Sequence, residues 1–140
     1  MLLLIGAVAA ACGARPSSAP QASDPSAAVA DFLAAVRAND LAAMGQHWGT
    51  GERGPAARWL NAETLHQRLF VMQSMLAHER YEILADNAPV SAGGDRVLRV
   101  RLWRKGCEPV VPFTVVRYRE GWLVEAVGIE AAGNPARTCG

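Results

Sequence analysis

The spacing of apolar residues changes near residue 80. Val29, Phe32, Leu33 and Val36 recur at i, i+3, i+4 and i+7, one apolar face of a helix. Asp24-Pro25 starts that helix, with a carboxylate to cap free N–H groups and a proline suited to the first helical position. Asn39-Asp40 interrupts it, and Leu41, Met44 and Trp48 predict a second, shorter helix. Residues 49–55 hold Gly49, Gly51 and Gly54 and read as a loop, with room for one turn over residues 56–60. Asn61 is placed to cap a third helix, in which Leu65, Leu69, Met72 and Leu76 share a face and no Gly or Pro intervenes before His78.

Beyond residue 80 the period falls to two. Residues 80–86 alternate, with Tyr81 and Ile83 on one side, and residues 87–94, containing Pro89 and Gly93-Gly94, read as a turn. In residues 96–103, Leu98, Val100 and Leu102 face one way and Arg99 and Arg101 the other, a strand with one wet face. Lys105-Gly106 turns the chain into a more uniformly apolar strand over residues 110–118, around Phe113. Glu120-Gly121 is a hairpin signal before a last strand over residues 122–129. Helices followed by an antiparallel meander define an α+β fold, with N-terminal helices packed on a curved antiparallel sheet.

The start of the chain belongs to neither pattern. Residues 2–11 are apolar or small, and ten residues of helix reach only about 15 Å, half of the roughly 30 Å of membrane hydrocarbon. The stretch fits the hydrophobic region of a signal peptide, with Ala9, Ala10 and Ala11 before a cleavage point. Cys12 directly after this run resembles the lipobox of bacterial lipoproteins, although Ala9 stands where that family usually has leucine and the first positive charge is Arg15. The resemblance implies a lipidated Cys12 and a bacterial envelope location, with the domain anchored by lipid outside the cytoplasm. Residues 14–24, rich in Ala, Ser and Pro, read as a flexible tether. The expected organisation is a signal peptide over residues 1–11, lipidated cysteine and tether over 12–24, and one α+β domain over 25–140.

Composition narrows the partners. The 140 residues carry a formal net charge of +1, with 51% apolar and 19% charged residues, which suits one folded domain with a real core. A chain so close to neutral lacks the basic footprint of a nucleic-acid binder. Three cysteines are an odd number for an exported protein. With Cys12 lipidated, Cys107 and Cys139 remain as an even pair for a disulfide. That bridge would close a loop of about 33 residues and contribute roughly 3–4 kcal/mol in the chain-entropy model.

The opening helix, the Asn39-Asp40 break, the short helix ending on His47-Trp48 and the closing strand around Gly121-Trp122-Leu123-Val124 resemble the nuclear transport factor 2-like superfamily, a cystatin-like cone, and within it the secreted lipoprotein branch. The resemblance spans residues 25–131. It implies an apolar pocket between sheet and helices, used by some members for isomerase, cyclase or dehydratase chemistry and by many others for binding alone; homodimers through the sheet are common. No catalytic carboxylate or tyrosine of the enzymes maps onto this chain.

Five residues are the candidates for a pocket: His47 and Trp48 at a pocket mouth, Trp59, Tyr81, and Glu125 between Leu123 and Val127. His47, Tyr81 or Glu125 would supply acid–base chemistry in an enzyme. Arg58-Trp59 fits a grip on an anion, with guanidinium stacked on indole, against the plainer reading of a solvated turn. Arg99 and Arg101 with Arg117 and Arg119 fit a basic strip, or a charged face balanced by Glu108, Glu120 and Glu125. His66 and His78 are twelve apart, which is no ligand spacing, and neither a nucleophile elbow nor a phosphate loop is present. The expectation is therefore a membrane-anchored envelope protein that binds a small apolar ligand or a protein partner, without cofactor, metal or catalysis. The alternatives are an isomerase- or dehydratase-type enzyme and a structural homodimer.

Overall fold

The computed structural model describes residues 21–84 and 94–137. Three α-helices come first: α1 (Pro25–Arg37), α2 (Leu41–His47) and α3 (Ala62–Leu76). Each begins as its sequence dictates. The Asp24 carboxylate accepts from Ala27 N–H at 2.8 Å, Asp40 from Ala43 N–H at 2.9 Å, and Asn61 from Thr64 N–H at 2.9 Å. Such caps stabilise a helix by about 1 kcal/mol each. Asn39, at φ 52, takes the left-handed turn that separates α1 from α2.

Residues 49–55 form more than a loop. β1 (Gly49–Thr50) and β2 (Gly54–Pro55) pair antiparallel, and a 3-10 turn (Ala56–Arg58) follows. Two-residue strands carry no periodicity, so only tertiary contact reveals them. Gly54 sits at φ +75, and a Cβ there would lie 2.5 Å from the Tyr118 ring.

The main sheet is a four-stranded antiparallel meander, β3 (Arg80–Ile83), β4 (Arg96–Trp103), β5 (Val110–Tyr118) and β6 (Gly121–Val127), in spatial order β3-β4-β5-β6. The expected strands at 96–103 and 110–118 match β4 and β5. The last strand ends at Val127, and Ile129–Ala132 instead forms a 3-10 turn. The expected turn at 87–93 and the end of the strand at 85–86 lie outside the described residues. β3 is a short edge with exposed Arg80 and Glu82, a form that discourages pairing with other chains.

One side of the sheet faces the helices. Leu98, Val100 and Leu102 of β4, Val111, Phe113 and Val115 of β5, and Trp122 and Val124 of β6 join Val29, Phe32, Leu33 and Val36 of α1 in one buried cluster. Phe32 meets Phe113 edge-to-face, with centroids 6.2 Å apart and planes at 68°. Met44 of α2 and Leu69, Met72 and Leu76 of α3 complete the cluster. On the other side Val116 and Leu123, partners across β5–β6, are also buried; Gly51 of the small hairpin lies beside the Val116 side chain.

The folded unit starts before the expected boundary at Pro25. Ala22 is buried and bridges Trp122, whose N–H donates to the Ala22 carbonyl at 3.1 Å. Residues 22–24 therefore pack with the domain. A single bridge to a strand a hundred residues later leaves no trace in local composition.

The glycines separate backbone strain from steric conflict. Gly106, at φ +76, has open space where a Cβ would go, whereas Gly54 faces the Tyr118 ring. Gly106→Ala is expected to cost about 1 kcal/mol, the left-handed penalty alone. Gly54→Ala is expected to cost about 2–3 kcal/mol, because ring displacement adds to that penalty. Urea denaturation of the two variants checks the order.

Candidate functional site

The five residues expected at a pocket lie in different places. His47, at the end of α2, borders a shallow cleft with Asp31, Ala34, Ala35, Ala38, Asp40 and Ala43. Trp48 follows it, and its indole N–H donates to the Glu125 carbonyl at 3.0 Å. Trp59 donates to the Gly54 carbonyl at 3.0 Å and so closes the small hairpin. Tyr81 packs on β3 against His78, ring centroids 5.8 Å apart. Acid–base chemistry shared by His47, Tyr81 and Glu125 has no common cavity among the described residues.

Glu125 owes its place to an irregularity of the sheet. Thr114 pairs with Ala126 and Val115 with Val124, so Glu125 is the extra residue of a register shift in β6. A bulge of this kind frees a carbonyl and redirects a side chain. Here the Glu125 carbonyl receives the Trp48 indole, and the carboxylate joins Thr50, Glu52, Arg53, Asp95 and Arg117 around an open cleft of about 510 Å³. Burial, with Asp95 next and Glu52 after it as like charges, pushes the Glu125 carboxyl up, while a Gly51 N–H opposes that shift.

The arginines also differ from expectation. Arg53, not Arg58, stacks on Trp59, with its guanidinium carbon 4.5 Å from the ring centroid. Arg58 instead donates to the Tyr118 hydroxyl at 3.4 Å. Arg99 and Arg101 do not form a strip with Arg117 and Arg119. In register, Arg99 and Arg101 sit opposite Pro112 and Val110, whereas Arg117 and Arg119 belong to the far end of β5 and its turn. Arg101 pairs with Glu82 at 3.7 Å. Arg104, half-buried, donates to the Met75 and Ala132 carbonyls and ties the end of α3 to the last 3-10 turn.

A largely apolar, open cleft of about 370 Å³ lies along α3, lined by Trp48, Val71, Met72 and Ile129 with Gln67 and Arg68. Val71 of this lining is 50% exposed, and the other exposed large apolar side chain among the described residues, Phe70 at 58%, stacks on His66 with ring centroids 6.4 Å apart. Periodicity hides this feature. Leu65, Leu69, Met72 and Leu76 satisfy the core, while Phe70 and Val71 fall off that stripe. Two large apolar residues outside a helix's buried stripe were the available signal.

No described group of three or more His, Cys, Asp or Glu side chains is arranged to hold a metal ion. No described helix is long and apolar enough to cross a membrane. Cys107 is buried in the turn after β4 and borders a cleft with Ala132, Gly133, Asn134 and Pro135 of the C-terminal segment; Cys12 and Cys139 lie outside the described residues. Comparison with protein-family models, with curated proteins and with solved structures found no match to this chain.

His78 gives the domain a pH dependence. Its Nδ1 shares a hydrogen with the Leu76 carbonyl at 2.8 Å, and its Nε2 is buried without a hydrogen-bond partner among the described residues. Burial first, and then Arg37 and Arg104, hold the imidazole below its ordinary value of 6.5. Burial does the same for His47, against Asp31. A depressed folded-state value means the unfolded chain binds more protons below about pH 6.5, so stability is full above that pH and falls with acidification. Tm is expected to drop between about pH 7 and pH 5.5, and His78→Gln to flatten that slope, as thermal melts across the range will read.

Proposed function

We propose that this protein is a bacterial envelope lipoprotein, anchored through lipid on Cys12, whose domain is a nuclear transport factor 2-like cone that binds a partner protein without catalysis. The element order supports the cone: two helices, a short hairpin, a third helix and a four-stranded meander. So does the parallel bridge between Trp48 and Val124, which lays the small hairpin beside β6. A Cys107–Cys139 disulfide completes this reading, supported by the cleft that Cys107 shares with the chain leading to residue 139.

The observation that carries partner binding is the open cleft on α3 with half-exposed Val71 in its lining, on the same helix as exposed Phe70. The space between helices and sheet, where a cone would hold a small ligand, is occupied by Phe32, Phe113, Leu33, Leu69 and Met44, all fully buried. The α3 cleft is open, whereas small-molecule sites typically enclose about 70–90% of a ligand's surface. Apolar side chains carried on a polypeptide fit an open cleft lined by exposed Val71 better.

Native mass spectrometry of the protein from its own envelope is expected to show a retained polypeptide in the parent and its loss in Val71→Asp. Val71 is half exposed, so the change is expected to alter stability by no more than about 0.5 kcal/mol. A doubled mass would mean a second copy occupies the cleft, and a retained small molecule alone would overturn the reading.

The anchor has its own check. Fatty-acid labelling is expected in the parent and absent in Cys12→Ser, and a thiol count on the denatured, unreduced mature protein is expected to find none. Label retained by Cys12→Ser would exclude the anchor, and two free thiols would exclude the disulfide.

A further inference from the structure

Three turns meet at one end of the domain and bring three exposed arginines, Arg53, Arg58 and Arg119, to Trp59 and Tyr118. Arg53, between β1 and β2, lies over Trp59 at 4.5 Å. Arg58 donates to the Tyr118 hydroxyl at 3.4 Å, and Arg119 lies 5.3 Å from the Tyr118 ring centroid. Arg117 lies 5.1 Å from the Trp122 ring centroid. The contacts of Arg53, Arg58 and Arg119 are continuous, because Trp59 donates to the Gly54 carbonyl and Gly54 abuts Tyr118; Arg117 and Trp122, partners in register, share the helix-facing side of the sheet. The acidic residues of the same hairpins are Glu52 and Glu120, and Asp95 and Glu125 line the cleft that Arg53 and Arg117 border.

The chain ahead of the domain arrives at this same end. Ala22 is hydrogen-bonded to Trp122, and Gln21 lies against Gly121, the first residue after the Arg119-Glu120 turn. Twenty residues precede Gln21, beginning with the apolar stretch 2–11. The chain thus enters the domain at the end that carries Arg119. Exposed arginine beside the half-buried rings of Trp59 and Tyr118 is the chemistry of a membrane interface: guanidinium heads meet phosphates while the rings and methylene stems fill the boundary.

We propose that this arginine–aromatic end of the domain seats on an anionic lipid surface, Arg53, Arg58 and Arg119 meeting the headgroup phosphates. The inference rests on the envelope reading above for its setting, but its contacts are the domain's own. With the tethered end seated, the domain's position above the membrane is set by side chains as well as by the length of the preceding chain.

The test uses the full chain carrying Cys12→Ser, so that no acyl group contributes, in cosedimentation with vesicles of phosphatidylcholine alone or mixed with phosphatidylglycerol. Stronger binding to the anionic vesicles, lost in added salt, is expected. The Arg53→Gln/Arg58→Gln/Arg119→Gln variant is expected to lose about fivefold per arginine, roughly a hundredfold together. The single variants, at about fivefold each, keep the measurement available if the triple variant melts early. Equal binding to both vesicle types, undiminished binding by the triple variant, or binding to a single-stranded oligonucleotide but not to vesicles would overturn the proposal. Vesicle binding with no fatty-acid label on the parent chain would remove the anchor and leave this surface standing; label without vesicle binding would do the reverse.

Discussion

Everything else in the domain depends on α1 lying against the inward face of β4–β6, with Phe32 edge-on to Phe113 at its centre. Fully burying a side chain of this size stabilises by about 1.5–3 kcal/mol, and α1 buries four large ones in two turns. The same packing has a functional consequence. An architecture of helices over a sheet can enclose a cavity, but Phe32, Leu33, Met44, Leu69 and Phe113 fill that space with no exposure. No polar or charged residue among the described residues is buried in that interior.

Around that core, single long-range ties set where the surface features lie. The register shift at Glu125 releases a carbonyl that receives the Trp48 indole, and so fastens the end of α2 to β6. Arg104 spends its donors on two backbone carbonyls, one at the end of α3 and one in the last 3-10 turn. These bonds hold α3 in place, and with it the apolar cleft between Trp48, Val71 and Ile129. At the other end, Tyr118 and Gly54 lock the two hairpins together and bring their arginines side by side. The α3 cleft and the arginine-bearing hairpins are separate surfaces of one domain.

Local rules were a good guide wherever neighbours in sequence decide the outcome. Asp24, Asp40 and Asn61 cap the helices they precede, and the alternation of Leu98, Val100 and Leu102 matches the buried face of β4. The candidate site was less legible. His47, Trp48, Trp59, Tyr81 and Glu125 were grouped by residue type, and the structure distributes them over different clefts and contacts. Arg58-Trp59 looked like a stacked pair, but adjacent residues in a turn diverge, and Arg53 reaches the indole instead.

By itself the sequence determined the α+β class, the helix starts, the two long strands and the apolar N-terminal stretch ending at Cys12, because periodicity and capping are set within a few residues. The tertiary structure alone decided the rest: the hairpin at residues 49–55, the inclusion of Ala22 in the fold, the filled interior, the exposure of Phe70 and Val71 and the gathering of Arg53, Arg58 and Arg119 at Trp59 and Tyr118. Those features depend on pairs of residues distant along the chain, and the energy of such contacts is written in no local pattern.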